Sequence, residues 1–314
     1  MIQTVLGKIA PEELGVCSAH EHLSIDLSRV KKDPDTIFDD EQGMREELED
    51  FYRLGGRSMV EVTNDGMGRD ALVLKRLSEA TGVHLITCTG FYKDPFIPEY
   101  AGDWKAEQFA HHFIKEATEG IADTGILPGV IGEVGTSKNE MKPIEKELLI
   151  GAAIAGVETG LPVTTHTTLG TLGFEQVQLL TKQGLPVDQI IIGHQDLNPN
   201  KEEVLSVLET GAYIAFDTIG KNNYRPDGER SDFLLDFINR GFERQILLSA
   251  DLTRKSHWKK NGGPGYGLVL ESFIPKLKEA GVSDSILQQL LIVNPSRAFS
   301  IREGSYCQHT IQPI

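Results

Sequence analysis

Short apolar runs alternate with stretches of helical periodicity along almost the whole chain. Eight runs, at residues 16–23, 58–63, 84–90, 129–134, 162–167, 189–194, 212–217 and 245–250, are bounded by Gly, Pro and polar residues and predict strands. Apolar residues at helical spacing predict helices near 41–54, 69–81, 104–119, 143–159, 173–183, 201–209, 230–240 and 266–280. The strands read as continuous apolar runs, which suits strands covered on both faces. Helices interposed this regularly imply parallel strands joined by right-handed crossovers. Eight such units predict a closed (β/α)8 barrel, an α/β fold. Residues 283–300 predict one or two closing helices, with Ser283 as N-cap and Pro295 after Asn294 as a helix-entry signal. No linker or composition shift divides the chain, so residues 1–314 read as one domain with 283–314 as closing segment and tail.

The polar residues that end the strands form an ordered set: His20 and His22, then Glu133, His166, His194 and Asp251. Residues two apart on a strand share a face, so His20 and His22 point together while Glu21 points away. Each histidine alone reads as a satisfied buried side chain. Together the six finish parallel strands and face one rim, and a buried carboxylate such as Asp251 needs a partner. A metal centre supplies one. The longer loops 24–40, 218–230 and 251–265 leave the same ends of the strands, where barrels of this kind carry their sites.

Composition narrows the partners. A hydrophobic fraction of 39% with 25% charged residues is that of a folded globular chain. No apolar run reaches membrane-spanning length, and the N-terminus lacks a secretion signal, so a cytoplasmic location is expected. Cys17, Cys88 and Cys307 are widely spaced and read as reduced thiols. The net charge of −15 argues against nucleic acid or an anionic membrane as partner. It leaves an anionic small molecule open, because metals and a few local cations can reverse the field within one cleft.

From HEH at 20–22 to NPS at 294–296, the ordering HxH, acid, His, His, Asp resembles the phosphotriesterase-like branch of the amidohydrolase superfamily, close to its homology proteins and lactonases. The resemblance implies a TIM barrel with a binuclear metal centre at the C-terminal ends of the strands. His20, His22 and Asp251 would take one ion and His166 and His194 the other, with a bridging side chain and a hydroxide between them. Many relatives bridge with a carboxylated lysine; here Glu133 stands in that place, with the same charge and a shorter reach. The alternative is that Glu133 only supports the ligands. The implied activity is ester hydrolysis by the bridging hydroxide, with Asp251 shuttling the proton. Zn²⁺, or Mn²⁺ or Co²⁺, fits this donor set.

The metal ligands are shared across the family, so the loops decide the substrate. Tyr92 matches a tyrosine that lactonase-like relatives place near the metals. Lys221, Tyr224 and Arg225 after the seventh strand, with Arg254 and Lys255 after the eighth, form a cationic, hydroxyl-bearing rim in an acidic protein. Such a rim suits an anionic group on the substrate, unless these cations pair with Asp217, Asp227 and Glu229 or line a solvated loop. The expectation is a lactonase acting on a phosphorylated sugar lactone, such as a five-carbon 1,4-lactone 5-phosphate. The rivals are a broad carboxylesterase or phosphotriesterase with the same centre and, more distantly, a non-catalytic metal-binding barrel. The resemblance also suggests a homodimer.

Overall fold

A computed structural model describes residues 1–302. Cys307 and the predicted tail from 303 onward lie outside the described residues. Eight parallel strands follow one another around a barrel: Cys17–Glu21, Ser58–Glu61, His84–Thr89, Val130–Thr136, Val163–Thr167, Ile190–Ile192, Tyr213–Phe216 and Ile246–Leu248. Each predicted run contains one of them or most of one. Seven of the intervening helices match their predicted stretches closely, among them Glu41–Arg53, Pro143–Thr159 and Asp227–Asn239.

Alternation along the strands sorts their side chains into two cores. Val60 and Val62, Ile86 and Cys88, Ile191, Ala215 and Leu247 pack together inside the barrel. Met59, Leu85, Ile131, Ile190, Ile192 and Leu248 pack outward against helix residues such as Leu74, Phe113 and Leu149. An antiparallel hairpin of Ile2–Thr4 and Gly7–Ile9, not foreseen from the sequence, joins Leu14 and Phe299 in closing the inner core. Among the described residues no helix is long and apolar enough to cross a membrane.

The C-terminal segments depart from expectation in one respect. Pro295 does not start a separate helix, and Pro275 lies within the single run predicted near 266–280. Each follows a wide π turn, Val269–Phe273 or Gln289–Val293, that continues directly into Ile274–Glu279 or Asn294–Ala298. Proline lacks the N–H and crowds the carbonyl one turn back, and a widened turn accommodates both within one helical run.

The backbone ladder runs from the first strand to the eighth, and a side chain links the eighth back to the first. The buried Glu21 carboxylate accepts the Ala250 and Leu252 amides, each at 2.9 Å, and the Ser18 hydroxyl at 2.9 Å. The residue between those two amides is Asp251.

Candidate metal centre

All six predicted ligands converge at the C-terminal end of the barrel. Two register shifts mark their approach. The first strand slips against the second between Ser18 and Glu21, around His20, and the fourth slips against the fifth between Ile131 and Val134, around Glu133. Irregularities of this kind re-aim side chains beside active sites. His194 and Asp251 instead sit on left-handed backbone, with φ of 57° and 50°. That conformation is costly away from glycine and persists only where its surroundings enforce it. Carboxylates enforce it at both places. Glu21 grips the amides on either side of Asp251. Asp217 accepts the His194 amide at 3.0 and 3.1 Å and faces His194 Nδ1 at 2.8 Å. With Nδ1 committed to Asp217, His194 Nε2 is turned toward the centre.

Glu133 is the hub. Its Oε2 lies 3.6 Å from His20 Nε2, 3.3 Å from His166 Nδ1 and 3.7 Å from His194 Nε2, while Oε1 lies 3.7 Å from His22 Nε2. Asp251 Oδ1 is 3.1 Å from His22 Nε2 and 3.7 Å from His20 Nε2. Two groups able to hold an ion thus share one carboxylate: His20, His22 and Glu133, and Glu133, His166 and His194. Asp217 also groups with His20 and His194, but its oxygens already accept from His194. Both imidazole nitrogens of His20 and Oε2 of Glu133 are buried without a hydrogen-bond partner. Orphaned polar atoms in so dry a site are costly, and divalent cations fit them.

The electrostatics point the same way. Burial works against ionised Glu133, yet His20, His166 and His194 hold it well below the usual carboxylate range. Burial also opposes the Asp251 charge, and the Lys221 ammonium and His22 outweigh it, so Asp251 is strongly acidic. Burial and neighbouring His194 push His166 down to about 4, leaving a neutral donor at pH 7. Burial and the charges of Glu133 and Asp251 raise Tyr92 well above a normal phenol, so it stays a neutral hydroxyl. Its oxygen is 3.1 Å from His166 Nδ1, as a residue beside the reacting group requires.

A cavity of about 340 Å³ opens over the cluster. Tyr92, Lys221, Tyr224 and Arg254 line it as expected. Lys221 contacts Asp251, and Arg254 pairs with Asp33. Arg225 and Lys255 are corrections. Arg225 donates to the carbonyls of Asp196 and Asn198 and lies over the Phe233 ring, so its charge serves loop packing. Lys255 is drawn to Asp39 at 3.0 Å. Neither lines the cavity. Two of the acids offered as alternative partners of the rim are engaged elsewhere, Asp217 with His194 and Asp227 with Arg230. Lys31 and Lys93 line the cavity and were not foreseen. Nor were the positioning roles of Glu21 and Asp217. Asp217 closes its apolar strand in the same way as Asp251, which was the available signal; Glu21 carried none.

Comparison with known proteins agrees with this geometry. The profile of the Phosphotriesterase family matches residues 1–299. A phosphotriesterase homology protein from Escherichia coli is 39% identical over 285 residues, 91% of this chain and 98% of that one. A crystal structure of the E. coli homology protein, complexed with phosphate in its active site, aligns with a TM-score of 0.90 over 92% of this chain and 99% of its own. An N-acetyltaurine hydrolase from Xenopus tropicalis is 30% identical over 94% of this chain and 97% of its own length. The structure of a lactonase from Listeria monocytogenes aligns with a TM-score of 0.91 at 29% identity, covering 96% and 99%.

Proposed function

The chain belongs to the phosphotriesterase family of hydrolases, and on that premise we propose that it is a two-metal lactonase for phosphorylated sugar lactones, typified by a five-carbon 1,4-lactone 5-phosphate. The observation that carries this reading is the cavity itself: four Lys and Arg side chains, Lys31, Lys93, Lys221 and Arg254, line a small space over a cluster with two ion-holding groups. In a chain of net charge −15, that concentration of cations suits a small anionic substrate. The lactonase and the phosphate complex among its relatives are consistent with it.

His20, His22 and Asp251 would hold one ion, His166 and His194 the other, with Glu133 between them. Two divalent ions so held would polarise the lactone carbonyl and lower the pKa of a water molecule towards neutrality. Zn²⁺, Mn²⁺ or Co²⁺ suits these donors. Asp251 turns Oδ1 to the histidines and Oδ2 to Lys221. Oδ2 is then the atom placed to take the proton of the attacking water and return it to the ring oxygen as the acyl C–O bond breaks. Lys221 keeps that oxygen ionised beforehand. The neutral Tyr92 hydroxyl donates to the lactone and orients it. Burial of Cys17 and Cys88 as free thiols suits a reducing, cytoplasmic setting.

A second reading, cleavage of a small anionic amide, is favoured by the N-acetyltaurine hydrolase relative. Its substrate also carries a fixed negative group, so the same cations would serve. The test is a hydrolysis panel with metal-reconstituted protein: the phosphorylated lactone, N-acetyltaurine, a neutral ester and a neutral organophosphate. Fastest turnover of the phosphorylated lactone supports the proposal. Fastest turnover of N-acetyltaurine replaces it with the second reading, and preference for either neutral compound removes the anionic substrate altogether.

A further inference from the structure

The second strand supplies none of the six ligands, yet the residues that follow it touch two of them. Thr63 Oγ1 lies 2.9 Å from His22 Nδ1, with both side chains buried. The next residue, Asn64, donates its side-chain amide to the Glu133 carbonyl at 2.9 Å. The segment is itself tied down. The Cys88 thiol donates to the Thr63 carbonyl at 3.3 Å, and the Asp65 amide to the Gly90 carbonyl at 3.2 Å. A hydroxyl both donates and accepts, so Thr63 alone does not decide which His22 nitrogen carries the proton. A neighbouring carboxylate bears on that choice. Glu61 is fully buried; its Oε1 accepts the Leu23 amide at 3.0 Å, and its Oε2 is left without a hydrogen-bond partner. Burial raises the Glu61 pKa, while His22, the Leu23 amide and the Thr63 hydroxyl favour its charge.

Resting on the two-metal reading above, we propose that Glu61 and Thr63 are positioning residues for His22, acting as a relay. The orphaned Glu61 oxygen takes the Thr63 hydroxyl proton, which leaves the Thr63 oxygen as an acceptor for His22 Nδ1–H. Nε2 is then the nitrogen turned to the centre, 3.7 Å from Glu133 Oε1 and 3.1 Å from Asp251 Oδ1. A ligating histidine is fixed by what its other nitrogen meets. His22 and His194 are thus aimed by different devices. Asp217 faces His194 Nδ1 directly at 2.8 Å, whereas Glu61 reaches His22 through a hydroxyl.

The test compares the wild type with Thr63→Val, which removes the hydroxyl at nearly constant volume, Thr63→Ser, which keeps it, and Glu61→Gln. In Glu61→Gln one carboxylate oxygen becomes an NH₂, which faces either the Leu23 amide or the Thr63 hydroxyl. Chelator competition reads Zn²⁺ affinity, and histidine NMR of the metal-free protein reads the His22 ring N–H. The expected result is an affinity lower by about tenfold to hundredfold in Thr63→Val and Glu61→Gln, with Thr63→Ser within about threefold of wild type. The Nδ1–H signal, downfield and slow to exchange in wild type and Thr63→Ser, moves upfield or is lost in the other two. A packing role predicts the opposite order, because valine fills the space of threonine and serine does not. The relay is overturned if Thr63→Val keeps wild-type affinity with the signal unmoved, if Thr63→Ser falls as far as Thr63→Val, or if Glu61→Gln matches wild type in both readouts. Should the signal depend on Thr63 and Glu61 while the wild type takes up no divalent ion, the relay stands and the two-metal reading falls. Two ions bound per wild-type chain, with affinity and signal indifferent to all three substitutions, do the reverse.

Discussion

Asp217→Asn isolates the part of the centre that holds no substrate and, in the arrangement proposed, no metal. The carboxylate accepts the His194 amide with both oxygens and faces His194 Nδ1 at 2.8 Å. An asparagine has one acceptor oxygen, which can satisfy either the imidazole or the amide. The other oxygen becomes an NH₂ facing an N–H. Hydrogen bonds to a charged group are worth about 1.5–3 kcal/mol, so one lost bond frees His194 to take the wrong tautomer or rotamer. About 1.4–2.8 kcal/mol corresponds to a tenfold to hundredfold loss of metal affinity, the range found when a carboxylate behind a ligating histidine is removed. The His194 pKa gives a second readout. Burial lowers it, Asp217 together with Glu133 and Asp251 more than reverses that, and the net shift is well upward. Losing the carboxylate should bring the metal-free His194 titration down. Chelator competition with Zn²⁺ and imidazole NMR of the metal-free protein measure the two effects. An Asp217→Asn protein with affinity within about twofold of wild type, and an unmoved His194 titration, would refute the clamp.

Three further outcomes are expected. Glu21→Gln leaves one amide beside Asp251 without an acceptor and lowers stability by about 2–4 kcal/mol, a fall in Tm of roughly 3–6 °C by calorimetry; a shift under about 1 °C would mean that the seam between the first and eighth strands is held otherwise. Arg69→Gln breaks a buried two-pronged pair with Glu116, at 2.6 and 2.8 Å, and costs about 3–5 kcal/mol at pH 7 by urea denaturation. Burial opposes the Glu116 charge, but Arg69 and Thr89 bring its folded pKa below the unfolded 4.5. Its contribution is therefore present above that value and lost as pH falls through the folded one. The deficit of the Arg69→Gln variant should narrow below pH 4.5, and a deficit constant with pH would contradict the pairing. Finally, burial pushes the Cys17 thiol up to about 12 and raises Cys88 well above the ordinary thiol range. Peptide mapping after native treatment with a thiol reagent should find both unlabelled until the chain is unfolded, and rapid labelling of either would show that the barrel interior opens.

The barrel was legible because a parallel strand covered on both faces is an apolar run, and IIIGH or ILLSAD reveals where that run meets the polar rim. The ligands were legible for the same reason, since they stand where apolar strands give way to that rim. Side chains on the loops had no such frame. Arg225 and Lys255 looked like Lys221 and Arg254 in sequence, and only the positions of the Asp196 and Asn198 carbonyls and of Asp39 separate them. Glu21 was read as turned away from the histidines, which is correct, but its task depends on Ala250 and Leu252, far along the chain. The hairpin of Ile2–Thr4 and Gly7–Ile9 is too short to show a period. Pro295 read as a helix start because a π turn that absorbs a proline leaves no mark in the apolar spacing.

A two-metal cluster set beneath a cationic cavity makes one ratio decisive. It is kcat/KM for a five-carbon 1,4-lactone 5-phosphate divided by that for the same lactone without phosphate, measured on protein reconstituted with Mn²⁺ or Zn²⁺. The expected result is a strong preference for the phosphorylated lactone, with activity abolished by chelation and restored by the metal. Equal rates, or no cleavage of either lactone by fully loaded protein, would contradict that arrangement of cluster and cavity.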